Sequence, residues 1–165
     1  MAYVHALMKD VRERWPVDET RVMASGFSRG ASMVWNVACY AGELFTGFVP
    51  IAGGFWHSTP AECPAGPVNM RHIHGTKDKV VAYAEIGVYN SMPISDGIDL
   101  YLDINRLKGQ PVRSFRGEAY TCTRWGIPQK SRVIELCLHQ GGHSIPAEWV
   151  ALGFDWLEKV VQKQN

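Results

Sequence analysis

Arg21-Val22-Met23-Ala24-Ser25-Gly26-Phe27-Ser28-Arg29-Gly30-Ala31-Ser32-Met33 decides how the rest of the chain is read. Residues 21–25 read as a short strand. Residues 26–30 form a corner of the type G-x-S-x-G, and a helix is expected over about 31–41, with Gly42 as its C-cap. So tight a corner between strand and helix needs glycine, because larger side chains would collide, and it pushes the serine oxygen out of the sheet. Ser28 is therefore a candidate nucleophile. As a bare Gly-Ser turn, the same five residues would simply join a strand to a helix. A serine hydroxyl is a poor nucleophile at neutral pH, so the first alternative requires a base and a group to orient that base.

Both are present further along. Residues 68–74 read as a strand ending at Gly75, and His74-Gly75-Thr76-Lys77-Asp78 sets an acid just past it. Residues 132–139 read as another strand, and Gly141-Gly142-His143-Ser144 sets a histidine in the loop that follows. Strand ends of this kind are where open α/β sheets gather their sites. Taken singly, Asp78 could be a solvated turn aspartate and His143 a surface loop histidine. Taken together they fill the missing roles in the order serine, acid, histidine.

The remaining elements surround this framework. Val4, Leu7, Met8, Val11 and Trp15 keep helical spacing until Pro16. A polar turn follows at 17–20. A strand is expected over 48–52, closed by Gly53-Gly54, then a loop over 55–67 and an irregular stretch over 79–96. A helix is expected over about 97–108. Strands over 116–125 and 132–139 are joined by a turn at 126–130, and a last helix covers about 147–162 behind Pro146. Strands alternating with helices give an α/β domain with a mainly parallel sheet, one domain over residues 1–165.

Composition narrows the function classes. The 165 residues carry 17 basic and 16 acidic side chains, a net charge of +1, and 46% are apolar. That profile excludes a disordered chain and gives no basic footprint for nucleic acid or an anionic membrane. No apolar run approaches the roughly 20 residues of a membrane span. The opening residues read as helix rather than as a secretory leader, which leaves localisation unassigned. Cys39, Cys63, Cys122 and Cys137 allow three pairings. Cys39 with Cys63 and Cys122 with Cys137 is the favoured set, and four buried free thiols are the alternative.

Weaker signals receive plainer readings. His72 and His74 share a strand face, but no third ligand accompanies them, so no metal is expected. Phe55 and Trp56, after the glycine pair, are candidates for a pocket wall beside Ser28, as is Phe27; Trp35 and Trp125 read as packing. Asp96, Asp99 and Asp103 are alternative acids on a surface helix. Neither a Walker pattern nor GxGxxG is present.

The combined motifs resemble the serine esterases of the α/β-hydrolase superfamily, most nearly the polyhydroxybutyrate-depolymerase and feruloyl-esterase group. The resemblance runs through Val17-Asp18-Glu19-Thr20-Arg21-Val22, Gly26-Phe27-Ser28-Arg29-Gly30-Ala31-Ser32-Met33, His72-Ile73-His74-Gly75-Thr76-Lys77-Asp78-Lys79-Val80-Val81 and Gly141-Gly142-His143-Ser144-Ile145-Pro146. It implies Ser28 as nucleophile, His143 as base and acid, Asp78 as orienting carboxylate and the Arg29 N–H as an oxyanion donor, with no cofactor. Small or short-chain carboxylic esters would be cleaved through an acyl-enzyme. Members of the superfamily place several strands and helices before the corner, where this sequence has one helix and a turn. A shortened sheet is therefore expected, with the second oxyanion donor unassigned and the strand at 21–25 bare on one flank. Such an edge predicts a homo-oligomer, for instance a two-fold dimer that continues the sheet. The rival expectation is a catalytically weak half-domain serving as an assembly or binding module.

Overall fold

The computed structural model describes residues 1–161 except 110, 118, 129 and 131. The first helix, α1 (Ala2–Arg14), is followed by β1 (Met23–Phe27), α2 (Arg29–Tyr40), β2 (Gly47–Ile51) and β3 (Met70–Gly75). Then come α3 (Ile94–Ile104), the strands β4 (Pro111–Arg116), β5 (Thr121–Trp125) and β6 (Ile134–His139), and α4 (Glu148–Val161). The six strands form one sheet in the order β1-β2-β3-β6-β5-β4. Strands β1, β2, β3 and β6 run parallel, while β5 and β4 extend the sheet antiparallel. The α/β fold with a mainly parallel sheet is thus as expected, and β1 lies at the sheet's end.

Alternation along the strands divides the core in two. On one face Phe48, Met70, Ile134 and Leu136 meet Val4 and Met8 of α1, Val34, Trp35 and Ala38 of α2, and Ile98 and Tyr101 of α3. On the other, Val49, Ile51, Ile73 and Cys137 meet Trp149, Trp156, Leu157 and Val160 of α4. Trp35 is fully buried; its ring packs against Phe55, His72 and Tyr101, and its carbonyl accepts the Tyr101 hydroxyl at 2.9 Å. The opposite face also holds charge, because Glu135 lies between Arg71, at 3.1 Å, and Arg124.

Several boundaries differ from expectation, each for a physical reason. The strand expected over 116–125 is β5 alone, preceded by a turn that Gly117 N–H closes by donating to the Tyr120 carbonyl at 2.8 Å; ahead of that turn lies β4, a strand not expected from the sequence, which pairs antiparallel with β5. Helix α3 starts at Ile94 rather than near Gly97. That glycine sits inside the helix because a Cβ there would come within 2.7 Å of the Trp35 ring. The strand expected from Val68 starts at Met70, since the Val68 N–H and carbonyl are taken by the Asn105 side chain at 3.1 and 2.7 Å. Helix α2 begins two residues earlier than expected, directly behind Ser28. The expected end of the last helix at Gln162, and Gln129 in the expected turn, lie outside the described residues. Cys39–Cys63 and Cys122–Cys137 are disulfide-bonded, the second pair facing each other across β5 and β6. No helix among the described residues is long and apolar enough to cross a membrane.

Candidate active site

The corner between β1 and α2 has the conformation that its glycines anticipate. A Cβ on Gly26 would stand 2.5 Å from the Gly30 carbonyl carbon, which no side chain tolerates. Ser28 itself takes φ 55° and ψ −118°, outside the regions open to most residues. Such strain costs about 1–3 kcal/mol and persists only where the surroundings hold it. Here the Ser28 N–H is tied to the Ile51 carbonyl at 3.0 Å, and its own carbonyl accepts the Ser32 N–H at 3.0 Å. Serine at a helix N-cap ordinarily bonds the first-turn amides. Ser28 makes no such cap, and its Oγ lies 2.9 Å from His143 Nε2.

The loops after β3 and β6 bring the other two groups to this point. Asp78 Oδ1 accepts the N–H groups of Val80 and Val81 at 2.8 and 2.9 Å. Its Oδ2 faces His143 Nδ1 at 2.8 Å. The carboxylate is fully buried, while the imidazole keeps 19% of its side-chain exposure. With an ionised carboxylate accepting from Nδ1–H, the Nε2 lone pair points to the serine hydroxyl, which donates to it. The two loops are also tied to one another: Thr76 N–H reaches the His139 carbonyl at 2.8 Å and Lys77 N–H the Gly141 carbonyl at 3.0 Å. The Phe27 ring packs 4.8 Å from the His143 ring. Ser28, Asp78 and His143 are thus brought together.

Behind the carboxylate lies a second layer that the sequence reading did not assign. His74 Nε2–H donates to the Val81 carbonyl at 2.9 Å and sits 3.8 Å from Asp78 Oδ2. His72 Nε2–H in turn donates to His74 Nδ1 at 3.1 Å, so the two strand-mates bond each other. Burial pushes both imidazoles below the usual histidine range, His72 furthest, and also lowers His139 beside them. Both are therefore neutral near pH 7. The sequence signal was their two-residue spacing at the end of a strand, just before the Asp78 loop.

Around the serine, the other predicted residues separate. Phe55 is a core residue against Trp35. Trp56 is half-buried, with its ring 5.5 Å from the Arg29 guanidinium. Asp96 stands at the start of α3 and Asp103 pairs with Lys108, so neither meets His143. A recess lined by Thr46, Asn69 and Arg132 lies at the opposite strand ends from Ser28. The one grouping of metal-type donors among the described residues is Cys122, Glu135 and Cys137, whose sulfurs are bonded to each other.

No protein-family model matches the chain. Over 148 residues it is 23% identical to a protein of Aspergillus clavatus named probable feruloyl esterase C, covering 87% of this chain and 49% of that protein. A protein of the same name from Aspergillus niger is 29% identical over 85 residues, 50% of this chain and 30% of that one. A bifunctional acetylxylan esterase/xylanase of Neocallimastix patriciarum is 26% identical over 85 residues, 51% of this chain and 12% of that protein. The chain thus spans about half the length of these relatives or less. The solved acetyl xylan esterase from Aspergillus awamori superposes with a TM-score of 0.68 at 13% identity, over 94% of this chain and 66% of that one. The chain shares the α/β fold of that esterase. In this sheet the corner after β1 and the loops after β3 and β6 share one end of the parallel strands, and the three polar side chains meet there.

Proposed function

We propose that the chain is a serine carboxylesterase that hydrolyses small or short-chain esters, with Ser28 as nucleophile, His143 as base and acid, and Asp78 as the orienting carboxylate. One observation carries the reading: the unbroken series Asp78 Oδ2, His143, Ser28 Oγ, with separations of 2.8 and 2.9 Å. His143 Nε2 takes the proton as Oγ bonds to the ester carbonyl carbon. The negative charge on the carbonyl oxygen is met by the Arg29 N–H, one of the amides at the open N-terminus of α2. The imidazolium formed is stabilised by Asp78 and protonates the departing alcohol oxygen as its bond to carbon breaks. Water then enters and gives a proton to Nε2 as its oxygen bonds to the acyl carbon, and Nε2 returns that proton to Oγ as the Oγ–carbon bond breaks, releasing the acid and restoring Ser28. Every step uses groups of this chain and water, and none needs a cofactor or metal. Feruloyl and acetyl esters, the acyl types in the relatives' names, head the candidate substrates.

The test is hydrolysis of 4-nitrophenyl butyrate by the protein and by its Ser28→Ala variant. A fall of at least about a thousandfold in kcat is expected, as for loss of a nucleophile that acts as a unit with its base. Equal rates would leave the binding-module reading in its place.

A further inference from the structure

The mechanism uses the Arg29 backbone and leaves its side chain without a role. Arg12, Arg14, Arg21, Arg71 and Arg124 each meet a carboxylate. Arg29 meets none among the described residues. Its guanidinium instead lies over two aromatic rings, 5.5 Å from the Trp56 centroid and 5.8 Å from that of Tyr89. These rings belong to separate loops joined by a short antiparallel bridge between Trp56 and Ser91. His57 N–H donates to the Asn90 carbonyl and Met92 N–H to the Phe55 carbonyl, each at 2.8 Å. Tyr89 and Asn90 both take left-handed backbone, φ 58° and 56°, which is unfavourable for a bulky residue such as tyrosine. The same loop is held to the Asp78 turn by Val88 N–H on the Val80 carbonyl at 2.9 Å. A strained loop anchored to the acid therefore carries an exposed tyrosine onto the side chain that follows the nucleophile.

We propose that the Arg29 guanidinium is an anion subsite beside Ser28, selecting esters that bear a carboxylate near the scissile bond. The proposal rests on the esterase reading and adds to it the class of substrate. Packing over a ring engages the cation while leaving its five N–H donors unused, and no acceptor among the described residues takes them. A ring covered by the guanidinium is closed to a substrate ring on that side. What the site offers a ligand is the planar donor edge, whose natural complement is a carboxylate bound by two parallel hydrogen bonds. The uncapped amides at the start of α2 add positive potential at the same corner.

Two matched substrate pairs test this, one for each side of the ester. The first is mono-4-nitrophenyl adipate against 4-nitrophenyl hexanoate, and the second 3-carboxyphenyl acetate against phenyl acetate. For each pair the ratio of kcat/KM, anionic over neutral, is compared between the protein and Arg29→Gln. The ratio divides out any loss common to both esters. In at least one pair it should fall by about tenfold or more, carried by KM, with Arg29→Lys recovering part of it. Added salt should likewise weaken turnover of that anionic ester alone in the unmodified protein, which needs no variant to fold. Cleavage with both ratios moved less than tenfold and no selective salt effect overturns the subsite alone. Cleavage of none of the four esters above the Ser28→Ala background overturns the esterase reading and the subsite with it.

Discussion

Asp78 shows how much of the site depends on a few polar atoms. One oxygen is held by two backbone amides, so the other is aimed at His143 without freedom to turn away. Replacing it with asparagine keeps the shape but lets an amide N–H face the imidazole, favouring the wrong tautomer. Asp78→Asn should therefore lower kcat about ten-thousandfold with little change in KM, measured on 4-nitrophenyl butyrate. The neutral histidines behind it bear on stability. His72, His74 and His139 have lowered affinity for protons in the folded state, so the unfolded chain binds more protons below about pH 6.5. Stability should be intact above that pH and fall on acidification, by up to about 1.4 kcal/mol per pH unit for each histidine. Thermal melts between pH 7 and 5 check this, and His72→Phe should flatten the slope. Ser28, Asp78 and His143 were legible in the sequence because each stands at a glycine-marked strand end. The partners of Arg29 were not, since Tyr89 lies in a stretch without periodicity and reaches the site only through its left-handed turn.

At the scale of elements, the corner shows that glycines in one motif serve different ends. Gly26 faces backbone at 2.5 Å, whereas a Cβ on Gly30 would meet nothing within 4 Å. Gly26→Ala should destabilise the protein by about 1–3 kcal/mol through overpacking. Gly30→Ala, in the first turn of α2, should be neutral or stabilising by up to about 1 kcal/mol. Denaturant titration of the two variants compares them directly. The same contrast explains where sequence pattern misplaced α3. Gly97 looked like a helix boundary by propensity, yet it is interior because the Trp35 ring occupies the space of its Cβ. Tertiary contact of this kind leaves no local trace. Strand β4 escaped for a different reason: Arg113, Ser114 and Arg116 leave its stretch few apolar positions, so its alternation is weak, and the Gly117 that follows it falls within the stretch that reads as the next strand.

For the whole molecule, strand order matters most. The strand that leads to Ser28 is at the end of the sheet, paired on one side with β2 and, among the described residues, with nothing on the other. We propose that two chains meet along this edge, continuing the sheet and completing the surroundings of Ser28. Light scattering on the eluting protein should give twice the 18.5 kDa chain mass, and a stable single-chain mass contradicts the dimer. The central claim is narrower: one serine, activated through His143 by Asp78, is the nucleophile. Treatment with a fluorophosphonate, followed by intact-mass and peptide mapping, tests it most directly. One phosphonyl group per chain, on Ser28, with labelling greatly slowed in Asp78→Asn, is the predicted result. No adduct, or an adduct on another residue with Ser28 unmodified, would contradict it.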